Sequence, residues 1–160
     1  MRKFDIISTV TELEPGELSA ADRQLLDAAR AASATAYAPY SGFSVGAAIR
    51  VHSGEIVSGS NQENAAFPSG LCAERVAAFA AASKFPYEAF QAIAVVCRSE
   101  KLPADKPLSP CGACRQALSE YEKRSGKIRV ILSGEKGKVL ILDSIEALLP
   151  LPFGADSLRK

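Results

Sequence analysis

Cys111 and Cys114 stand three residues apart in "SPCGACRQALSEY", where a stretch of helical character begins. Three chemistries use such a pair: a redox dithiol, half of a structural zinc clamp, or two ligands of a catalytic metal. At a helix start, residues three apart share a face and can reach one ion. The helix dipole and the unpaired N–H groups there also favour thiolate over thiol. The pair alone does not choose among the three.

A second helix start, "LCAER", narrows the choice. Cys72 offers a third thiolate, and Glu74 follows two residues on. Zinc held by three protein groups keeps a fourth position for water, which is the catalytic arrangement rather than the closed structural one. Glu74 is then free to face that water while Cys72 takes the metal. A dithiol redox enzyme has no use for the Cys72–Glu74 pair. A closed site wants a fourth ligand nearby, yet Cys97 lies within an apolar strand and the only histidine, His52, at a hairpin turn.

The elements that must position these residues fit within one domain. The chain has 160 residues, 48% of them hydrophobic, enough for a single core over 1–160. The first twenty or so residues read as an arm or a strand laid on the body. With 19 basic and 18 acidic residues the formal charge is +1, which leaves no electrostatic footprint for nucleic acid or an acidic membrane. No apolar run resembles a signal peptide or a membrane span. Four cysteines without a secretory signal point to a reducing, cytoplasmic setting.

Apolar residues at Leu25, Leu26, Ala29, Ala36 and Tyr37 predict a helix over Asp22–Tyr37, capped by Ser19 or Asp22 and broken at Pro39 and Gly42. "FSVGAAIRV" alternates, with Phe43, Val45, Ala47, Ile49 and Val51 on one face, and pairs through an "HSG" turn with "EIVSGS". The loop "NQENAAFPSG" leads into a buried helix, "CAERVAAFAAASK", and "AIAVVC" reads as a central strand. The loop at 101–110 precedes the second cysteine helix, and two strands, a short helix "SIEALL" and a proline-containing tail follow. This order predicts an α/β fold: a three-layer α/β/α arrangement around a mixed five-stranded sheet. Both middle helices begin at a cysteine after a strand, so their N-termini can converge at one edge.

Zinc deaminases of nucleobases carry a metal ligand two residues before a glutamate, followed by Pro-Cys-x-x-Cys, with His/Cys/Cys or three Cys as ligands. "CAE" and "PCGAC" fit the three-cysteine version. The chain resembles the small, free-nucleoside cytidine deaminases, through "YAPYSGFSVGAAI", "NQENAAFPSGLCAERVA", "PCGACRQAL" and "LLPLPFG". The likeness covers most of the chain from Tyr37 to the tail.

That resemblance implies Zn2+ on Cys72, Cys111 and Cys114, and hydrolytic deamination of cytidine and deoxycytidine to uridine and deoxyuridine with release of ammonia, a step of pyrimidine salvage. Metal-activated hydroxide would attack C4 while Glu74 shuttles protons. It implies further that Asn61 and Glu63 hydrogen-bond the ribose hydroxyls, that Phe43 lies against the pyrimidine, and that Arg75 donates to ligand sulfurs. Arg115, next to Cys114, stands in a place to offset sulfur charge too, and the Ala73 N–H could donate to the base carbonyl. A homotetramer follows from the likeness, with Phe67 and Phe153 reaching neighbouring sites.

Plainer readings stand beside these. Phe43 can be core, Asn64 a local turn-former, Arg75 and Arg115 solvated helix residues, and Tyr40 and Cys97 turn and core residues. A carboxylate at the 3′ oxygen accepts from a free hydroxyl and repels a phosphate, which argues against a polynucleotide substrate. The rival functions are deamination of another aminopyrimidine nucleoside or a nucleoside-like antibiotic, and a non-catalytic, zinc-stabilised binding module.

Overall fold

In the computed structural model of the chain, which describes residues 1–99 and 104–158, the N-terminal arm contributes a strand. Thr11–Leu13 forms β1, antiparallel to the last strand of the sheet. The sheet therefore has six strands rather than five, in the order β1-β6-β5-β4-β2-β3. Three mostly exposed residues carry no periodic signal. They are recruited because the edge they meet is otherwise unpaired, and Lys138 adds an ion pair to Glu12 at 2.6 Å.

Helix α1 (Ala20–Ser33) starts at Ser19, whose Oγ accepts from the Asp22 N–H at 3.1 Å. It stops at Ser33, short of the expected Tyr37. The Thr35 hydroxyl donates to the Ala32 carbonyl at 2.9 Å and helps satisfy the helix end. Tyr37 is drawn instead to the Asn61 carbonyl, to which its N–H donates at 3.0 Å.

Strands β2 (Phe43–Val51) and β3 (Ile56–Ser60) form the expected hairpin, turning through Gly54 at φ +90°. Then come α2 (Ala73–Lys84), β4 (Phe90–Ser99), α3 (Gly112–Ser125), β5 (Arg129–Ser133) and β6 (Val139–Leu142). The expected short helix after β6 is a 3-10 turn at Ile145–Leu148. Of the loop expected at 101–110, residues 101–103 lie outside the described residues.

The expected α/β/α layering is present. Val45, Ala47, Ile49 and Val51 pack with Ala77, Ala78, Ala81 and Leu118 of α2 and α3. On the other face Ala48, Ala94 and Val96 pack with Leu25, Leu26 and Ala29 of α1. The small residues of β2 are thus buried as well. A Cβ on Gly46 would overlap the Ala29 carbonyl oxygen, so α1 lies directly on the strand backbone.

Topology sets the site. β2 pairs antiparallel with both β3 and β4, so those two strands run the same way. α2 leaves the end of β3 and α3 follows the end of β4, which brings both helix N-termini to one edge of the sheet.

One buried carboxylate fastens the C-terminal segment to this frame. Glu122 of α3 accepts from Ile128 N at 2.7 Å, Ile145 N at 2.8 Å, Glu146 N at 3.0 Å and Ser144 Oγ at 2.7 Å. Donors stranded by its removal cost roughly 1–3 kcal/mol apiece where they stay dry. Glu122→Ala is expected to lose about 3 kcal/mol of stability in urea unfolding. An unchanged midpoint and slope would show that the clamp contributes nothing.

Candidate active site

Cys72 is the N-cap residue of α2 and Cys111 that of α3, and neither side chain caps its own helix. Their sulfurs are free to point outward from the helix ends. Cys114 lies buried in the first turn of α3. The Cys72 and Cys111 sulfurs are 3.8 Å apart, those of Cys111 and Cys114 3.5 Å, and all three lie within 4.8 Å of one another. All are free thiols, far beyond the roughly 2.05 Å of a disulfide. Tetrahedral zinc with Zn–S of about 2.3 Å spaces its sulfurs about 3.8 Å apart. The cluster has the dimensions of that site.

Electrostatics tell the same story. The Cys72 thiol is drawn down to about 5 by its hydrogen bond with Cys114, against the effect of burial, with help from Arg75 and Cys111. Cys114 moves up, because it is bonded to Cys72, is buried, and faces Glu74. The cluster takes one negative charge readily and resists the next. A dication removes that resistance, so the donor set fits Zn2+.

Glu74, one residue into α2 from Ala73, is 3% exposed. Burial raises its pKa, its own N–H lowers it, and the Cys72 charge raises it further. Against the effect of burial, the Arg75 guanidinium has its pKa raised by Cys72 and Cys114, and its Nε is buried without a partner among the described residues. Arg115 turns elsewhere: its bonds run to the Pro110 carbonyl at 2.7 Å, the Leu148 carbonyl at 2.7 Å and Ser109 Oγ at 2.8 Å.

A cavity of about 550 Å³ opens beside Cys72, with Tyr40, Asn61, Glu63, Phe67 and Arg75 in its wall. Its shape comes from a backbone pair: Gln62 and Leu71 exchange N–H···O bonds of 2.9 Å, closing the 63–70 loop and placing Cys72 against residues 61–63. Asn61 accepts from Val45 N at 2.8 Å and donates to the Phe43 carbonyl at 2.9 Å. Glu63 accepts from the Ser41 hydroxyl and from the N–H groups of Tyr40 and Ser41. These bonds, the Ser41 hydroxyl first, hold its carboxyl below the usual range against the opposing effect of burial.

Asn64 is a turn-former, its side chain accepting from Ala66 N at 2.8 Å. Phe43 is half-buried at the start of β2, against the core. Ala73 is buried at the first position of α2. Phe67 is exposed and meets Tyr40 edge-on at 6.0 Å. Phe153 is exposed, its carbonyl held by Gln116 Nε2 at 2.8 Å, and it is not part of the cavity wall. Cys97 is core and His52 an exposed hairpin residue. Tyr40 and Ser41 were not legible as site residues. The one signal for them is the Ser in "PYSG", and nothing local pairs it with Glu63.

A three-sulfur cluster with a buried carboxyl beside an open cavity defines the class of zinc hydrolases. The family model for the cytidine and deoxycytidylate deaminase zinc-binding region matches residues 19–129. A cytidine deaminase of Sporosarcina psychrophila is 39% identical over 135 residues, 84% of this chain and 93% of that protein. One of Halalkalibacterium halodurans is 38% identical over 139 residues, covering 86% and 98%. The crystal structure of the cytidine deaminase from Burkholderia pseudomallei superposes with a TM-score of 0.71 at 42% identity, over 81% of this chain and 97% of that one. This chain belongs to the cytidine and deoxycytidylate deaminase zinc-binding family.

Purified protein is expected to carry stoichiometric zinc by elemental analysis, and Cys111→Ala to lose it. Protons compete with metal for the same sulfurs, so falling pH releases zinc and rising pH restores it. Full retention of zinc by Cys111→Ala would exclude that residue as a ligand.

Proposed function

We propose that the chain hydrolyses the C4 amine of cytidine and deoxycytidine, adding water and releasing ammonia to leave uridine and deoxyuridine. The observation that carries this reading is the buried Glu74 carboxyl beside a three-sulfur metal site, one of whose members, Cys72, lines the cavity. Cys72, Cys111 and Cys114 hold the zinc, which when bound supplies a Lewis acid that makes water ionise near neutral pH.

Glu74 does the proton work. It takes a proton from the attacking water and hands it to ring N3, then takes the proton of the new C4 hydroxyl and passes it to the amine, which leaves tetrahedral C4 as ammonia while the C4 carbonyl forms. A carboxyl whose pKa is raised by burial suits that exchange better than an exposed one. Arg75 donates to ligand sulfurs and draws off part of their charge, a role supported by the mutual electrostatic influence of Arg75, Cys72 and Cys114. The Ala73 N–H, at the start of α2, donates to the base carbonyl.

Asn61 and Glu63 bind the ribose hydroxyls, and the carboxylate at the 3′ oxygen repels a phosphate there. Phe43 lies against the pyrimidine. Exposed Phe67 and Phe153 complete the sites of neighbouring subunits in a homotetramer. Among the described residues no helix is long and apolar enough to cross a membrane. The enzyme serves pyrimidine salvage in the cytoplasm.

The test is cytidine turnover and zinc content measured on one preparation. Glu74→Gln is expected to keep its zinc and lose about 10³-fold in kcat, whereas Glu63→Ala raises KM roughly tenfold or more. A Glu74→Gln protein of undiminished turnover would falsify the assignment. Sedimentation of the holoenzyme reads the assembly, with a monomer as the contrary result.

A further inference from the structure

Arg115 is the best-connected cation near the metal site, and none of its bonds goes to a sulfur. Its three nitrogens take three acceptors from two separate segments. Nε and NH2 hold Pro110 O and Ser109 Oγ, the two residues just before Cys111, at 2.7 and 2.8 Å. NH1 holds Leu148 O, at the end of the 3-10 turn, at 2.7 Å. The residue follows Cys114 directly, so its backbone belongs to the same first turn that carries the buried ligand.

The consequence for Cys111 is specific. That cysteine is exposed, sits at an N-cap without a side-chain cap, and is preceded by a loop containing Pro107 and Pro110. A proline offers no N–H with which to tie the approach to the helix. An unfastened N-cap frays, and the 3.5 Å between the Cys111 and Cys114 sulfurs would then vary from moment to moment. We infer that Arg115 is a positioning residue that fixes the Cys111 ligand relative to Cys114 by clamping residues 109–110 and Leu148 to the first turn of α3.

The planar guanidinium presents donors in a fixed fork, which one ammonium on a flexible stem cannot reproduce across three acceptors. The same C-terminal segment is also held at the far end of α3 by Glu122, through Ser144, Ile145 and Glu146. That second fastening gives an internal control. It secures the segment without touching the approach to Cys111.

The inference rests on reading the three sulfurs as the zinc site, and its test does not depend on turnover. Zinc release from the holoenzyme into a chromogenic chelator is followed for wild type, Arg115→Lys, Arg115→Ala, Ser109→Ala and Glu122→Ala. Loss of an outer partner of this kind is expected to speed release by roughly 10- to 100-fold in the two Arg115 variants. Ser109→Ala, which deletes one acceptor at an exposed position, is expected to speed it by a smaller factor. Glu122→Ala lowers the urea midpoint and leaves the release rate near wild type.

A release rate in Arg115→Lys equal to wild type overturns the inference, as does equal acceleration by Glu122→Ala, which would mark a merely structural role. A wild-type protein that binds no zinc overturns the metal site itself, a result distinguishable from either.

Discussion

Taking the proton from Cys72 is easy, and taking the next from Cys114 is hard, because a second thiolate would form beside the first in a poorly solvated place. Much of the surrounding structure answers that repulsion. Two helix N-termini face the cluster and contribute partial positive charge, which needs β3 and β4 to run in the same direction. Arg75 adds a full charge at the sulfurs. The dication does the rest, and Glu74, drawn toward its protonated form by burial and by the Cys72 charge, becomes a group that can both give and accept a proton.

Such a site tolerates little drift, and the sheet is packed accordingly. α1 rests on Gly46 of β2, and α2 on Gly59 of β3, where a Cβ would stand 2.7 Å from Ala77 N. The first cysteine helix, α2, therefore sits at a fixed height over the strand that delivers it. The C-terminal segment runs back along α3 and is fastened by Glu122, Arg115 and Gln116 in turn. Rigidity at the metal end thus draws on contacts far along the chain.

The parts of this design that obey a short period were open to reading from the residues. Alternation marked β2, the apolar run marked β4, and the cysteine spacings marked the helix starts. β1 was open only as one of two readings of the N-terminal arm, because three mostly exposed residues have no face to reveal and its pairing belongs to β6. Ala36 and Tyr37 looked helical by spacing, but the pull of Asn61 and Gln62 on Tyr37 is a tertiary effect. Among site residues, those with metal or acid chemistry declared themselves by type. Ser41 did not, since a serine in a turn is ordinary and its partner Glu63 is 22 residues away. Arg115 was legible as a nearby charge. What it holds was not, because its acceptors are carbonyls, which every residue has.

Asn61 carries one more lesson. Its carboxamide accepts from Val45 N and donates to Phe43 O, so the side chain acts as an extra peptide group and adds a rung to the ladder beyond Ser60. A flipped amide would set donor against donor and oxygen against oxygen. The group is consequently locked, with one N–H and one lone pair left over. Whatever enters the cavity at Asn61 meets an amide of fixed polarity, its hydrogen-bonding sense chosen by the strand before any ligand arrives.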